Sequence, residues 1–397
     1  MVWPIKRFSE LLKPNKRPYT LGPTEDANLV GMRLYGGGPF HREMKPATAI
    51  RKKSHFVIRA GDVIYNKLFA WKGTFGVVPP GLDGMFVSDK FPTYELDSTR
   101  VDPEYIRWYF KYPPLWEQAR QMSIGSAALS KLTLNPPRFL DLTMPLPSVS
   151  EQRRIVSRIE GLASRISEAR DLRRHSGHEA RALLKAHISR LANSFGTLGV
   201  LGEVLLEQPR NGWSARCDNL DGGVPVLTLG AVTGFRYGPR HFKTTSLPTD
   251  SAAHYWLKTG DLLITRSNTP QLVGHAAIYD GTPSPCIYPD LMMRIRVDER
   301  RADKQFVWYW LQGSVARGYI ERNARGTSPS MKKIAQATVM GVPFPVHVSL
   351  EEQARFVAGL NTLQERIDLL ERLQAESAAP LDALLPSLLD KAFKGEL

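Results

Sequence analysis

The chain carries one plan written twice, about 200 residues apart, so its fold has to be a pseudo-repeat. Arg59-Ala60-Gly61-Asp62-Val63-Ile64-Tyr65 returns as Lys258-Thr259-Gly260-Asp261-Leu262-Leu263-Ile264. The aromatic-rich stretch that starts Val101-Asp102-Pro103 returns as Ala302-Asp303-Lys304. Ile124-Gly125-Ser126 matches Arg325-Gly326-Thr327, and Met144-Pro145-Leu146-Pro147 matches Val342-Pro343-Phe344-Pro345. Glu151-Gln152 returns as Glu352-Gln353 at an offset of 201. Between these anchors the two copies differ almost completely. The frame is shared and the loops are not.

Each copy reads as a mixed α/β globule followed by helix. A Gly-Asp turn leads into a β-branched apolar run (Val63-Ile64-Tyr65; Leu262-Leu263-Ile264), which is a strand signal. Asp102 and Asp303 suit helix starts with an apolar face behind them. The Pro-x-Pro pairs close a last edge strand, because proline cannot donate to a ladder. Ser148-Val149-Ser150-Glu151 and Ser349-Leu350-Glu351-Glu352 are then two capping boxes at equivalent places.

The helices they open carry seams stepping by four and three: Ile155, Ile159, Leu162, Ile166 and Ala169 in the first, Phe356, Leu360, Leu363, Ile367 and Leu370 in the second. The first helical block is net basic and the second net acidic, which suits two helices lying together. Gly177 and Pro380 are expected to break or kink them. That leaves an unbroken run over 151–174, about 36 Å long at ~1.5 Å per residue. The fold class is therefore α/β (mixed α+β): two globules in tandem pseudo-repeat, each followed by a long helix, with the helices pairing as an antiparallel coiled coil. The expected divisions are 1–148, 149–196, 197–348 and 349–397.

Charge says what such a frame would bind. The 53 basic residues against 39 acidic give a net charge of +14 and imply a polyanionic partner, nucleic acid before anionic membrane. No apolar run approaches the ~20 residues of a membrane span. The opening residues lack the apolar core of a secretory signal. Two cysteines, Cys217 and Cys286, make neither a disulfide framework nor a cysteine-rich zinc site, so a cytoplasmic location is expected.

Tools for catalysis are missing. There is no phosphate loop, dinucleotide turn, His-Glu-x-x-His, paired Cys-x-x-Cys or Gly-x-Ser-x-Gly elbow, and Gly36-Gly37-Gly38 lacks a strand–helix frame. Asp89 and Glu95 would start a nuclease carboxylate pair, but Asp97 stands where its lysine should be. Asn135-Pro136-Pro137-Arg138 echoes the Asn/Asp-Pro-Pro-aromatic segment of amino-methyltransferases, yet ends in arginine and reads as a turn. No catalytic or metal-binding residue is assigned.

The order of globule, Pro-x-Pro, Gln152 helix, globule, Pro-x-Pro, Gln353 helix, ending in Lys391-Ala392-Phe393-Lys394-Gly395-Glu396-Leu397, resembles the specificity subunit of type I restriction–modification systems over the whole chain. The first helical block departs from the pattern, closing instead with Leu191-Ala192-Asn193-Ser194-Phe195-Gly196. The resemblance implies a non-catalytic subunit whose two globules are target recognition domains, each reading half of a split site in double-stranded DNA. It implies helices that space the globules and dock two methyltransferase subunits, with nuclease–translocase subunits completing the complex. S-adenosylmethionine, ATP and Mg²⁺ would belong to those partners, leaving this chain with no cofactor of its own. The readings that compete are a methyltransferase or nuclease with degenerate motifs, and a coiled-coil adaptor at a membrane surface.

Polar and basic loops after the strand entries supply the candidate DNA contacts: Asn66, Lys67, Trp71 and Lys72 in the first copy, and Arg266, Ser267, Asn268, Thr269 and Gln271 in the second. Asn, Gln and Arg can make paired hydrogen bonds to base edges. The later turns add Ser126 and Lys131, and Arg325, Thr327, Ser328, Lys332 and Lys333, where lysines suit phosphate.

Overall fold

The computed structural model describes residues 3–50, 54–125, 132–192, 195–219, 221–247, 249–326 and 330–397. Its helices are α1 (Pro103–Tyr109), α2 (Pro113–Met122), α3 (Pro136–Leu140), α4 (Val149–Ala192), α5 (Lys304–Trp310), α6 (Ser314–Asn323), α7 (Gln336–Met340), α8 (Leu350–Glu376) and α9 (Ala378–Lys394). The chain divides into two compact units. Unit 1 comprises residues 1–173 and 374–397, and unit 2 comprises residues 174–373. Helix α4 thus gives its first half to unit 1 and its second half to unit 2.

Both units are built on one antiparallel four-stranded sheet. In unit 1 its order is Leu12–Pro14, Thr93–Leu96, Val63–Tyr65, Phe75–Val77. In unit 2 it is Arg210–Asn211, Met292–Ile295, Leu262–Thr265, Ala276–Ile278. A separate edge pair joins Ile5–Arg7 to Thr143–Pro145, and its counterpart joins Gly199–Val200 to Pro343–Phe344. The Gly-Asp entries explain themselves. Gly61 and Gly260 sit at φ +88° and +91°, which only glycine adopts without strain. The carboxylates of Asp62 and Asp261 each accept the backbone N–H three residues earlier at 2.8 Å, closing the turn into the strand.

Helices α1 and α5 begin where expected, with Asp102 and Asp303 accepting backbone N–H groups of the first turn. Gln152 and Gln353 then tie each globule to its helix, although both are buried polar side chains. Gln152 Oε1 accepts the Asp102 N–H at 2.8 Å while its Nε2 donates to the carbonyls of Arg100 and Pro147, both at 2.9 Å. Gln353 repeats this with the Asp303 N–H (2.7 Å) and the carbonyls of Arg301 and Val348 (3.4 and 2.8 Å). Ser349 and Glu352 form the full reciprocal capping box. At the first site only the Ser148 half forms, because Glu151 turns to Arg154 instead.

The units diverge outside this frame. Unit 1 adds a five-stranded sheet (Pro18–Thr20, Ser54–Val57, Phe86–Val87, Asp26–Met32, Pro39–Pro46). Unit 2 has in that region the antiparallel pair Val224–Leu227 and Phe242–Thr245.

The helices differ from expectation in three ways. Gly177 does not break α4, which runs unbroken for 44 residues; one glycine costs only ~1 kcal/mol against so long a helix. The second break falls at Ser377, and Pro380 sits in the first turn of α9. The third difference concerns the seams. Ile155 and Ile159, with Leu162 alongside, pack with Leu388, Leu389, Ala392 and Phe393 of α9 in the core of unit 1. Phe356, Leu360 and Ile367, with Leu363 alongside, pack with Leu184 and Ile188 of α4 in the core of unit 2. The first seam therefore meets α9, and the second meets the C-terminal half of α4. In unit 1 the pairs Arg154–Leu397 and Arg170–Asp382 show the helices antiparallel, as does Arg181–Glu371 beside the Leu184–Phe356 core in unit 2. Ile166 is half-buried on the same face.

Asn135-Pro136-Pro137-Arg138 is not a turn but the start of helix α3, with proline at the first position. Its ring, Phe139, is buried and stacked on Tyr65 at 4.1 Å between centroids. The equivalent helix in unit 2 is α7, which follows directly on Lys332-Lys333-Ile334.

Candidate nucleic-acid interface

In both units the loop after the central strand is laid against the stretch leading into the short helix. The Leu134 N–H donates to the Lys67 carbonyl at 2.9 Å, and the Ile334 N–H donates to the Arg266 carbonyl at 2.9 Å. A bridge closes the neighbouring turn in each case, Ile124 with Thr133 and Arg325 with Lys333. In unit 2, Ser267 and Asn268 also pair with Lys333 and Lys332 as a two-stranded ribbon. Segments some 60 residues apart are thus brought together twice on one backbone plan, and in unit 2 they carry the candidates Arg266, Ser267, Asn268, Lys332 and Lys333. Ser126, Lys131, Thr327 and Ser328 lie outside the described residues.

The side chains on that plan differ in what they have left to offer. Asn66 is half-buried and its Oδ1 accepts the Leu68 N–H at 3.0 Å, holding the loop's shape. Lys67 and Trp71 are half-buried, and Lys72 lies over the Trp71 ring at 4.8 Å. In unit 2 the Arg266 guanidinium donates to the Asp290 carbonyl (3.3 Å), and Asn268 Oδ1 accepts the Thr269 N–H (2.9 Å). Thr269 is half-buried, and its carbonyl accepts the N–H groups of Leu272 and Val273. Ser267 is buried, its hydroxyl without a hydrogen-bond partner among the described residues, so it presents nothing outward as the loop stands. Lys332 is tied to the Gly326 carbonyl at 2.8 Å. Gln271, Arg325 and Lys333 are the exposed members of the set.

One structural pair was missed in the sequence although its signal was there. Gly73 and Gly274, 201 residues apart, both have positive φ (+69° and +77°). A Cβ on Gly73 would lie 2.5 Å from the Trp116 ring, and one on Gly274 2.6 Å from Ile320. These glycines press each loop onto α2 or α6. The next positions are Thr74 and His275. Burial, then the nearby Arg317, lowers the His275 pKa to about 4, so the ring is neutral; its Nδ1 accepts the Gly234 N–H at 2.9 Å.

Unit 2 also fastens the segment before its second strand of the pair to α8. The Arg236 guanidinium donates to Asp368 Oδ1 at 2.7 Å and Glu371 Oε2 at 2.9 Å, and Arg181 reaches Glu371 at 2.7 Å. Burial raises the Glu371 carboxyl pKa, but the two arginines outweigh it and hold the group below its ordinary range. Among the described residues no group of three or more His, Cys, Asp or Glu could hold a metal ion, and no helix is long and apolar enough to cross a membrane.

No protein-family model matches the chain. A Salmonella potsdam protein, the StySPI specificity subunit, is 24% identical over 314 residues, covering 75% of this chain and 66% of that protein. The EcoKI specificity subunit of Escherichia coli K12 is 22% identical over 298 residues, covering 70% and 62%. The relatives are type I restriction enzyme specificity subunits. The matched region spans just under two thirds of the length of each specificity subunit. Solved structures agree in fold. A chain from a type I R-M system, solved to explain complex assembly and conformational transition, superposes with a TM-score of 0.74 at 24% identity, covering 100% of this chain and 98% of that one. The HsdS subunit from Thermoanaerobacter tengcongensis gives 0.55 at 22% identity, covering 100% and 97%.

Proposed function

We propose that the chain is the DNA-recognition subunit of a type I restriction–modification complex, reading an asymmetric, bipartite duplex site and directing methylation and restriction carried out by partner subunits. The observation that carries this reading is the doubled loop plan. The same backbone bonds (Leu134 to Lys67, Ile334 to Arg266) present Asn66, Lys67 and Lys72 in one unit and Arg266, Asn268 and Gln271 in the other. Two reading heads with one frame and different side chains suit two dissimilar half-sites. On this reading the exposed Gln271 meets a base edge, while the exposed Arg325 and Lys333 serve the phosphates, with the net charge of +14 drawing the duplex in.

On this reading the chain supplies position and no chemistry. S-adenosylmethionine, ATP and Mg²⁺ belong to methyltransferase subunits, two per complex, and to nuclease–translocase subunits. The test is to express the chain with its methyltransferase partner and map methylated bases across the host genome. One split motif with unlike halves is expected. A continuous motif, a palindromic one, or none would overturn the reading.

A further inference from the structure

Each unit contains two consecutive residues in the left-handed region, one of them aromatic: Tyr35-Gly36 (φ +58° and +70°) and Gly234-Phe235 (φ +91° and +60°). For a bulky side chain that conformation is unfavourable, so something must compensate it. In unit 2 the compensation is visible. Phe235 is buried, with its ring 4.3 Å from that of His275 and the Arg317 guanidinium over it at 5.7 Å.

In unit 1 it is not. Tyr35 is 62% exposed, and its ring neighbour among the described residues is Trp116, 5.8 Å away. Yet the turn is held firmly. The Tyr35 N–H donates to the Lys72 carbonyl at 2.7 Å and the Gly36 N–H to the Gly73 carbonyl at 2.8 Å. A Cβ on Gly36 would lie 2.6 Å from Lys111 Cα, so the turn sits directly on the end of α1. The two backbone bonds hold the Tyr35-Gly36 main chain beside the end of the Lys67–Lys72 loop and leave the ring largely exposed. Strained residues held in place by their surroundings concentrate at functional sites.

We propose that Tyr35 is a specificity-determining contact of unit 1, its ring packing against a base of the half-site that unit 1 reads. This rests on the DNA-recognition reading above. An exposed aromatic ring on a turn held by backbone bonds is the kind of platform on which bases stack, while cations of the neighbouring loop hold the nucleic-acid backbone. Phe235, turned into its own core, makes no such contact, so the two half-sites are read with different chemistry.

The experiment is methylome mapping with the full chain and its methyltransferase partner, for wild type, Tyr35→Phe and Tyr35→Gly. Glycine accepts φ +58° freely, so Tyr35→Gly should melt at or above the wild-type temperature. It is expected to lose base preference at one or two positions of one half-site and leave the other half intact. Binding of the complex to the original motif should fall about tenfold. Tyr35→Phe, which keeps the ring, should keep the motif. An unchanged motif in Tyr35→Gly, or one altered in both halves, would overturn the proposal while leaving the DNA-recognition reading in place. Absence of any motif in wild type would instead remove that reading, and this proposal with it.

Discussion

Unit 1 and unit 2 fill the same hole in their cores by different routes. In unit 1 it is filled by Phe393 of α9, which packs against the rings of Tyr105, Tyr109 and Tyr112 while the Tyr112 hydroxyl donates to Asp390 at 2.9 Å. In unit 2 it is filled by Phe195, just beyond the end of α4, which packs against Phe306, Trp310 and Phe356. The missing Lys-Ala-Phe-x-Gly-Glu-Leu close after the first helix is thus a change of letters that keeps the aromatic plug. The difference lies in connectivity. Unit 2 is one continuous stretch of chain, whereas unit 1 is completed by residues 374–397, which return only after the 200 residues of unit 2. Closing that long loop carries an entropic cost that unit 2 avoids.

Deleting the plug should give the largest effect. Phe393→Ala is expected to destabilise unit 1 by about 3–5 kcal/mol. Hydrogen exchange should then show lost protection in 103–109 and little change in 304–310. Equal loss in both segments would mean that the units do not keep separate cores.

The buried glutamines test whether the two joints are equivalent. Gln152→Leu and Gln353→Leu each leave one backbone N–H and two carbonyls without their partners, a loss of about 2–3 kcal/mol. Denaturant unfolding should report similar losses from the two variants, each confined to its own unit; a large inequality would break the equivalence.

Acid should distinguish the units by a smaller amount. His275 titrates near 4 in the folded protein against about 6.5 unfolded, so its neutral form favours folding fully above 6.5. That contribution shrinks as pH falls through this window, on the order of 1–2 kcal/mol. Thr74 at the matching position of unit 1 does not titrate. Thermal melts between pH 7 and pH 4 should therefore lower unit 2 more than unit 1, and His275→Gln should reduce the gap. The smallest effect is expected from Arg236→Gln, whose partners are partly solvated: about 0.5–1 kcal/mol, weaker at high salt, with unit 1 untouched.

What could be read from the amino acids was the frame, because its anchors are residue types with one structural use each. Gly61 and Gly260 need positive φ, Asp102 and Asp303 cap helices, and the Pro-x-Pro pairs finish edge strands. Less was visible where a pattern gives a face but not its partner. The spacing of Ile155 to Ile166 shows an apolar stripe; nothing in it says that the stripe meets Leu388 and Phe393 and not Phe356. The five-stranded sheet of unit 1 was invisible because its strands have no second copy to be compared with. Among the interface candidates, residue chemistry alone could not separate Gln271, which is exposed, from Ser267, which is buried two positions after a strand of the same sheet region.

The glutamine joints have one more consequence. All three hydrogen bonds of Gln152, and all three of Gln353, go to main-chain atoms. A contact made only with backbone is blind to the letters that backbone carries. The side chains at 100 and 147, and at 301 and 348, can therefore change without removing these hydrogen bonds, so long as the main chain keeps its path. Novelty in the loops and constancy at the joint become independent variables: a globule can change its surface letters without disturbing the bonds that set where its helix begins.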